Sequence, residues 1–247
     1  MNIHELARRL ARTWPGLEQQ QLGQWELRAA GGFTGRANSA LPLGDPGCGL
    51  APAMQQVMAW YRERGLAPRV QVPTKLDGSG GPADQVAQWC DRAGWSAEPW
   101  TLVLVREPRS IGATAGLSLA WSSEPDGQWL DMYRYRGSQL PPAALRVITA
   151  APAGYLTASL DGAVVGIGRA ALADDVVVLT AIEVAAAHRR RGFGRVLTEA
   201  LADWGGRQGA TLSALQVFTR NEPAVRLYEQ LGYTPHHRYL YRCPAQR

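Results

Sequence analysis

Lysine is almost absent from this chain of 247 residues: of 26 basic side chains only Lys75 is a lysine, and the rest are arginines. The net charge of +5 therefore records arginine usage, and no basic run interleaved with aromatics accompanies it, so a nucleic acid is not an expected partner. Cysteine is scarce as well. Cys48, Cys90 and Cys243 are odd in number and far apart, which excludes a disulfide framework. None of them stands at ligand spacing with His4, His188, His236 or His237, so no metal is expected. No apolar run approaches the roughly 20 residues that cross a bilayer, which sets a membrane partner aside. The first helix, with Ile3, Leu6, Ala7 and Leu10 on one face and Arg8, Arg9 and Arg12 on another, imitates a transit peptide but carries Glu5 and no serine. These absences make the cytoplasm the expected location.

What the chain does have is an octapeptide, His188-Arg-Arg-Arg-Gly-Phe-Gly-Arg195, between the β-branched run Val176–Val184 and a helical pattern of Phe193, Val196, Leu197, Ala200, Leu201 and Trp204. The order is strand, basic glycine turn, helix. The first N–H groups of a helix have no partner within it and carry roughly half a positive charge, so such a turn attracts an anion. Gly192 and Gly194 let backbone approach phosphate oxygens without a Cβ in the way, and Arg189, Arg190, Arg191 and Arg195 add charge. A solvated arginine face is the plain alternative, but cations at a helix start oppose its dipole and destabilise it unless an anion answers them. A dinucleotide fingerprint needs glycine where Arg191 stands, and a phosphate loop needs a Gly-Lys-Ser/Thr that is absent here.

Arg189-x-x-Gly192-x-Gly194 resembles the acetyl-coenzyme A signature of the GNAT acetyltransferase superfamily, with Phe193 inside it. The strand Leu212–Phe218 and the series Asn221, Ala224, Leu227, Tyr228, Leu231, Gly232, Tyr233 are similar to that superfamily's next strand and closing helix. One departure is Ala186, where proline commonly stands. The resemblance implies acetyl-coenzyme A as co-substrate and an amine as acceptor. It also implies a pantetheine arm that pairs like an added strand with backbone of Ile182 and Val184, with Asn221 near that arm.

The pattern occurs twice. A helix ending at Gly65, a short strand Arg69–Val72, a helix with Val86, Trp89 and Cys90, Gly94-Trp95 and a strand Trp100–Val105 repeat, element for element, the order of the chain after residue 193. In the first copy Cys90 takes the place of Tyr228 and Ala83 that of Asn221, and its glycine loop Gly44–Gly49 carries Asp45 and no arginine. A pyrophosphate would be repelled there. Trp25-Glu-Leu-Arg28 and Phe33–Leu41 are similar to the amino-terminal half of bacterial tandem acetyltransferases. The expected architecture is a mixed α/β (α+β) fold of two GNAT-like units, each a central mixed sheet flanked by helices. Residues 1–108 would form the degenerate unit and residues 109–247 the catalytic one, with Pro108 at the break.

Acetyl transfer needs a fixed thioester, a neutral amine and a proton for the departing thiolate. Tyr228, a phenol protonated at neutral pH, is the candidate general acid, with core packing as its alternative. Glu183, the lone carboxylate of its strand, is the candidate base, since burial would raise its pKa; an ion pair with a nearby arginine is the alternative. Strand alternation sets it opposite Ile182 and Val184 without saying which face meets substrate. Trp129, Tyr133 and Tyr155 are candidates for the acceptor pocket, with a core role favoured. A coenzyme-binding sensor without turnover is the competing function.

Overall fold

The computed structural model describes residues 1–81, 83–133 and 140–245. The first half runs α1 (Ile3–Thr13), β1 (Glu18–Leu22), β2 (Trp25–Ala29), α2 (Leu50–Glu63), β3 (Val70–Thr74), α3 (Asp84–Arg92), β4 (Ser96–Ala97) and β5 (Thr101–Arg106). The second half continues as β6 (Ser118–Ser122), α4 (Gly127–Met132), α5 (Ala143–Thr149), β7 (Ala153–Leu160), β8 (Ala163–Ala173), β9 (Val176–Val184), α6 (Phe193–Arg207), β10 (Leu212–Phe218), α7 (Glu222–Gln230) and β11 (Thr234–Cys243). Local chemistry accounts for the main boundaries. Asn2 and Glu5 cap α1 reciprocally, each side chain accepting from the other's backbone N–H at 3.0 and 3.2 Å. Asp161 and Gly162 both adopt left-handed φ, which makes the tight β7–β8 hairpin that Asp-Gly between apolar runs predicts.

One nine-stranded sheet, in the order β3-β11-β5-β10-β9-β8-β7-β6 with β4 added beside β11, serves both halves. Only β9 and β10 are parallel among these strand pairs, so the sheet is mixed. The halves meet by exchanging their last strands. β5 pairs along β10 from Arg106 opposite Ser213 to Thr101 opposite Phe218, and β11 pairs along β3 from Arg238 opposite Thr74 to Arg242 opposite Val70. β5 and β11 are neighbours at the centre, so β3-β11-β5-β10 maps onto itself when the two copies are swapped. The repeat seen in the sequence is thus a repeat in space. It leaves neither half with a closed sheet of its own.

Two faces of that sheet are covered differently. On one, α6 and α7 bury Leu197, Leu201 and Leu231 against Leu104, Val177 and Leu215. Close packing there needs Gly205, since a Cβ at that position would stand 2.4 Å from the Val177 side chain. On the other face α4 and α5 contribute Trp129, Val147 and Ile148 over Tyr155 and Ile167. Beside them α1, from the first half, lays Leu6 and Leu10 on Val176 and Val178 of the second. A separate cluster of Met54, Val57, Tyr61, Val70, Val86 and Cys90 fills the space under α2 and α3.

Candidate active site

The parallel strands β9 and β10 pair only from Val176 and Leu212 to Leu179 and Leu215. Beyond Leu179 they part. The cause lies on the other edge of β9, where Thr180 faces Arg169 and Glu183 faces Ile167, three steps on one strand against two on its partner. This β-bulge is centred on Ala181, whose φ of 52° is left-handed, and a bulge bends its strand away from the mean line of the sheet. β10 cannot follow because Gln216, Val217 and Phe218 remain paired with β5. The result is a V-shaped gap whose β9 side is lined by backbone of Ile182 and Val184, without a strand partner toward β10. Side chains of Ile182 and Val184 join the α6/α7 cluster, and Ala181 joins the α4/α5 cluster. Glu183 lines a cleft of about 760 Å³ with Gln128, Asp131, Met132 and Arg189. The face that alternation left open is therefore the α4 face.

At the mouth of the gap a short turn, Ala186–His188, leads into the arginine-glycine segment. Arg190 is left-handed with φ 64°, and Gly192, the N-cap of α6, has φ 82°. The Arg195 and Val196 N–H groups both donate to the Gly192 carbonyl, so Phe193 and Gly194 offer theirs outward. No side chain caps α6 and no acidic residue stands in its first turn, in contrast to the capping box of α1. Arg189 turns back to donate from Nε to the Val184 carbonyl at 3.2 Å, tying the turn to the strand end. Arg191 packs its guanidinium over Phe193 at 5.0 Å and contacts His188 Nδ1 at 3.1 Å. Arg195 pairs loosely with Glu199 at 3.8 Å. A Cβ at Gly194 would come within 3.2 Å of Leu227, so this glycine also lets α7 approach α6. A helix start crowded by guanidinium groups and lacking a cap is a ready anion socket.

α7 carries the other two candidates. Asn221 is its N-cap by backbone, its carbonyl accepting from Ala224 and Val225 N–H, but its exposed side chain makes no capping bond. The amide is left for another partner. Tyr228 is partly buried against the α6/α7 cluster that also holds Ile182 and Val184, and its ring meets Tyr233 edge-on at 6.0 Å. Among the described residues its hydroxyl has no hydrogen-bond partner. Burial, and then the neighbouring Tyr233 phenol, push its pKa up to about 12, so it holds its proton at neutral pH. Trp129, Tyr133 and Tyr155 are core: all three are buried, Trp129 Nε1 donates to the Gly168 carbonyl and Tyr155 to that of Ile148.

The first half has a cleft of its own, about 590 Å³, lined by Asp45, Cys48, Gly49, Ala83 and Asp84 among others. Its charge is reversed, with two carboxylates where the second half has arginines. Cys90, which the sequence spacing sets in the place of Tyr228, is fully buried and its thiol pushed up to about 12 by burial. Two separate clefts are lined by residues that no sequence motif flagged. Gln128 and Asp131 reach the Glu183 cleft from α4, and Arg106 and Arg109, from the first half and its connector, line a smaller cleft beside Arg195. Lone arginines eighty to ninety residues from the turn give no pattern to detect. All three cysteines are free thiols, and among the described residues no helix is long and apolar enough to cross a membrane.

The family described as "Probable histone acetyltransferase Rv0428c C-terminal" matches residues 1–242. The chain is 31% identical over 257 residues to the Mycobacterium tuberculosis protein "Probable histone acetyltransferase Rv0428c", spanning 99% of this chain and 74% of that protein. It is 25% identical over 264 residues to "Uncharacterized N-acetyltransferase YobR" of Bacillus subtilis, spanning 98% of each. A solved GCN5-related N-acetyltransferase from Kribbella flavida superposes with a TM-score of 0.76 at 18% identity, covering 100% of this chain and 97% of that one. A tandem GNAT protein from the clavulanic acid biosynthesis pathway superposes with 0.66 at 16% identity, covering 85% of this chain and 76% of that one. The two structures bear on the fold and the family match on kinship, and together with the splayed strands and glycine turn they identify the chain as a member of the Rv0428c C-terminal family of GNAT N-acetyltransferases.

Proposed function

We propose that the protein moves an acetyl group from acetyl-coenzyme A to a primary amine at one site, built in residues 109–247, with residues 1–108 acting as a degenerate unit. The observation that carries this reading is the junction of the β9–β10 gap with the uncapped, arginine-ringed start of α6. Gly192, Phe193, Gly194 and Arg195, with Arg189, Arg190 and Arg191, would hold the pyrophosphate. Backbone of Ile182 and Val184 would pair with the pantetheine arm, and the Asn221 amide would contact it. Acetyl-coenzyme A supplies the thioester.

The side chains then divide the remaining work by face. Glu183, on the α4 side with Asp131, offers negative charge to an approaching ammonium and would take its proton, freeing the nitrogen lone pair to form the new C–N bond as the C–S bond breaks. Tyr228, on the α6/α7 side, would give its proton to the departing sulfur, and the second proton that nitrogen loses as the amide forms would restore the phenol by way of solvent. A sensor without turnover would have no use for an unpartnered phenol beside the arm. The acceptor is expected to be cationic because its cleft is acidic. Thiol release from acetyl-coenzyme A, measured against a panel of amines and basic peptides, should give turnover with at least one acceptor. Tight coenzyme binding without thiol release for any amine would refute catalysis.

A further inference from the structure

Among the described residues the least satisfied charge is Arg106, near the end of β5. It is only 8% exposed, its Nη1 donates to the Leu231 carbonyl at 2.7 Å, and its guanidinium lies over the Tyr233 ring at 4.8 Å. Its Nε and Nη2 have no hydrogen-bond acceptor and are sealed from solvent, so they meet an anion in the adjoining cleft only when the guanidinium turns toward it. An interior guanidinium with unused donors is costly in the absence of an anion. Arg106 lines a cleft of about 300 Å³ with Arg109, Ser110, Arg195, Glu199 and Glu229. Three guanidinium groups against two carboxylates leave one surplus positive charge, and Glu199 is already engaged by Arg195. The chemistry suits a single phosphate monoester, which accepts several charge-assisted hydrogen bonds.

Arg195 stands in the first turn of α6, directly after the glycine turn, and also lines this cleft, so the cleft and the turn share that residue. On the reading that the turn holds the pyrophosphate of coenzyme A, we propose that this cleft holds the 3′-phosphate. Both groups hang from one ribose ring, one at the 5′ and one at the 3′ oxygen, so a phosphate beside the pyrophosphate is what the ligand brings. Two of the three arginines, Arg106 and Arg109, precede the second half's first strand. The first half, whose own cleft is acidic, thus takes part in coenzyme recognition by lending its last strand and the connector.

The test is calorimetry on the full chain with coenzyme A and with 3′-dephospho-coenzyme A. Removing the 3′-phosphate should weaken wild-type binding by about ten- to a hundredfold, the range for a lost hydrogen bond to a charged group. Arg109→Ala, an exposed position, should bring coenzyme A close to the dephospho level while leaving dephospho-coenzyme A affinity unchanged. Arg106→Lys keeps a buried cation and should lose part of the same discrimination. Equal wild-type affinity for both ligands would overturn the proposal and leave the coenzyme reading intact, as would an Arg109→Ala variant that weakens both alike. If inorganic phosphate binds wild type and not Arg109→Ala while the two coenzymes remain indistinguishable, the cleft serves another phosphate ester and the proposal fails. If neither coenzyme binds, both readings fail together.

Discussion

The anion socket makes its most discriminating prediction at Gly192, compared as Gly192→Ala and Gly192→Glu. A Cβ built there meets no atom within 4 Å, so the first side-chain atom of either variant has room. Both must hold an L residue at φ 82°, which costs about 1–2 kcal/mol and lowers the thermal midpoint of the two proteins alike. Only glutamate adds charge. Taking its carboxylate about 5 Å from the nearest phosphate and an effective dielectric of about 20, the repulsion is about 3 kcal/mol, over a hundredfold in Kd. Gly192→Ala should weaken acetyl-coenzyme A by less than about tenfold, through looser presentation of the Phe193 and Gly194 N–H groups. The gap between the two variants should narrow as salt is raised, because ions screen an exposed charge pair. Calorimetry at two ionic strengths, with circular dichroism to confirm matched folding, reads all of this. Equal losses in the two variants would show that the segment is a structural turn and that its arginines are solvated.

Tyr228→Phe should lower kcat by about 10²- to 10⁴-fold and leave coenzyme Kd unchanged, since the hydroxyl has no structural partner to lose; a change of a few-fold would make Tyr228 a packing residue. A cut between residues 107 and 110 should leave neither half folded by itself, because β5 lies between β10 and β11 and β11 lies between β3 and β5. Co-expressed halves should reassemble and bind acetyl-coenzyme A, and a well-folded isolated second half would contradict the exchanged topology. His237 is buried, and desolvation together with the neighbouring His236 pushes its pKa down to about 3. In the unfolded chain it takes a proton near pH 6.5, so the stability its neutral form provides is present above 6.5. That stability is lost toward pH 3 at up to about 1.4 kcal/mol per pH unit. Thermal midpoints of wild type should fall between pH 6.5 and 4.5, and His237→Gln should flatten that slope. At the alkaline end Tyr228, Tyr233 and Tyr239 all have pKa values raised by burial. The unfolded chain gives up phenolic protons near pH 10 that the folded chain keeps, so stability should decline above that pH.

Much of this architecture was legible because it rests on local rules. The β-branched run of β9, the 3.6-residue spacing of α6 and α7 and the Asp161-Gly162 turn each specify their own element through short-range sterics and burial. The expectation of an anion at the basic glycine turn could be read from sequence because the charge of a helix start is a local property. The repeated element order was legible too, since helix, strand, helix, strand leaves the same spacing twice, and it reappears in the strand order β3-β11-β5-β10. What alternation cannot do is choose a face. Glu183 is assigned to the α4 side only because the bulge at Ala181 and the packing of Ile182 and Val184 under α6 are long-range outcomes. The same holds for the exchange of β5 and β11. A strand with a good apolar pattern pairs with whichever edge the assembled layers offer, and its sequence carries no label for that edge. Arg106 acquires its buried, half-satisfied guanidinium through this exchange, which sets it beside Leu231 and Tyr233 from the far end of the chain. The sequence by itself determined the elements, the repeated order of those elements and the residue types of the turn. Tertiary structure alone decided which faces those residues share, because contacts between residues a hundred or more positions apart depend on how whole layers pack.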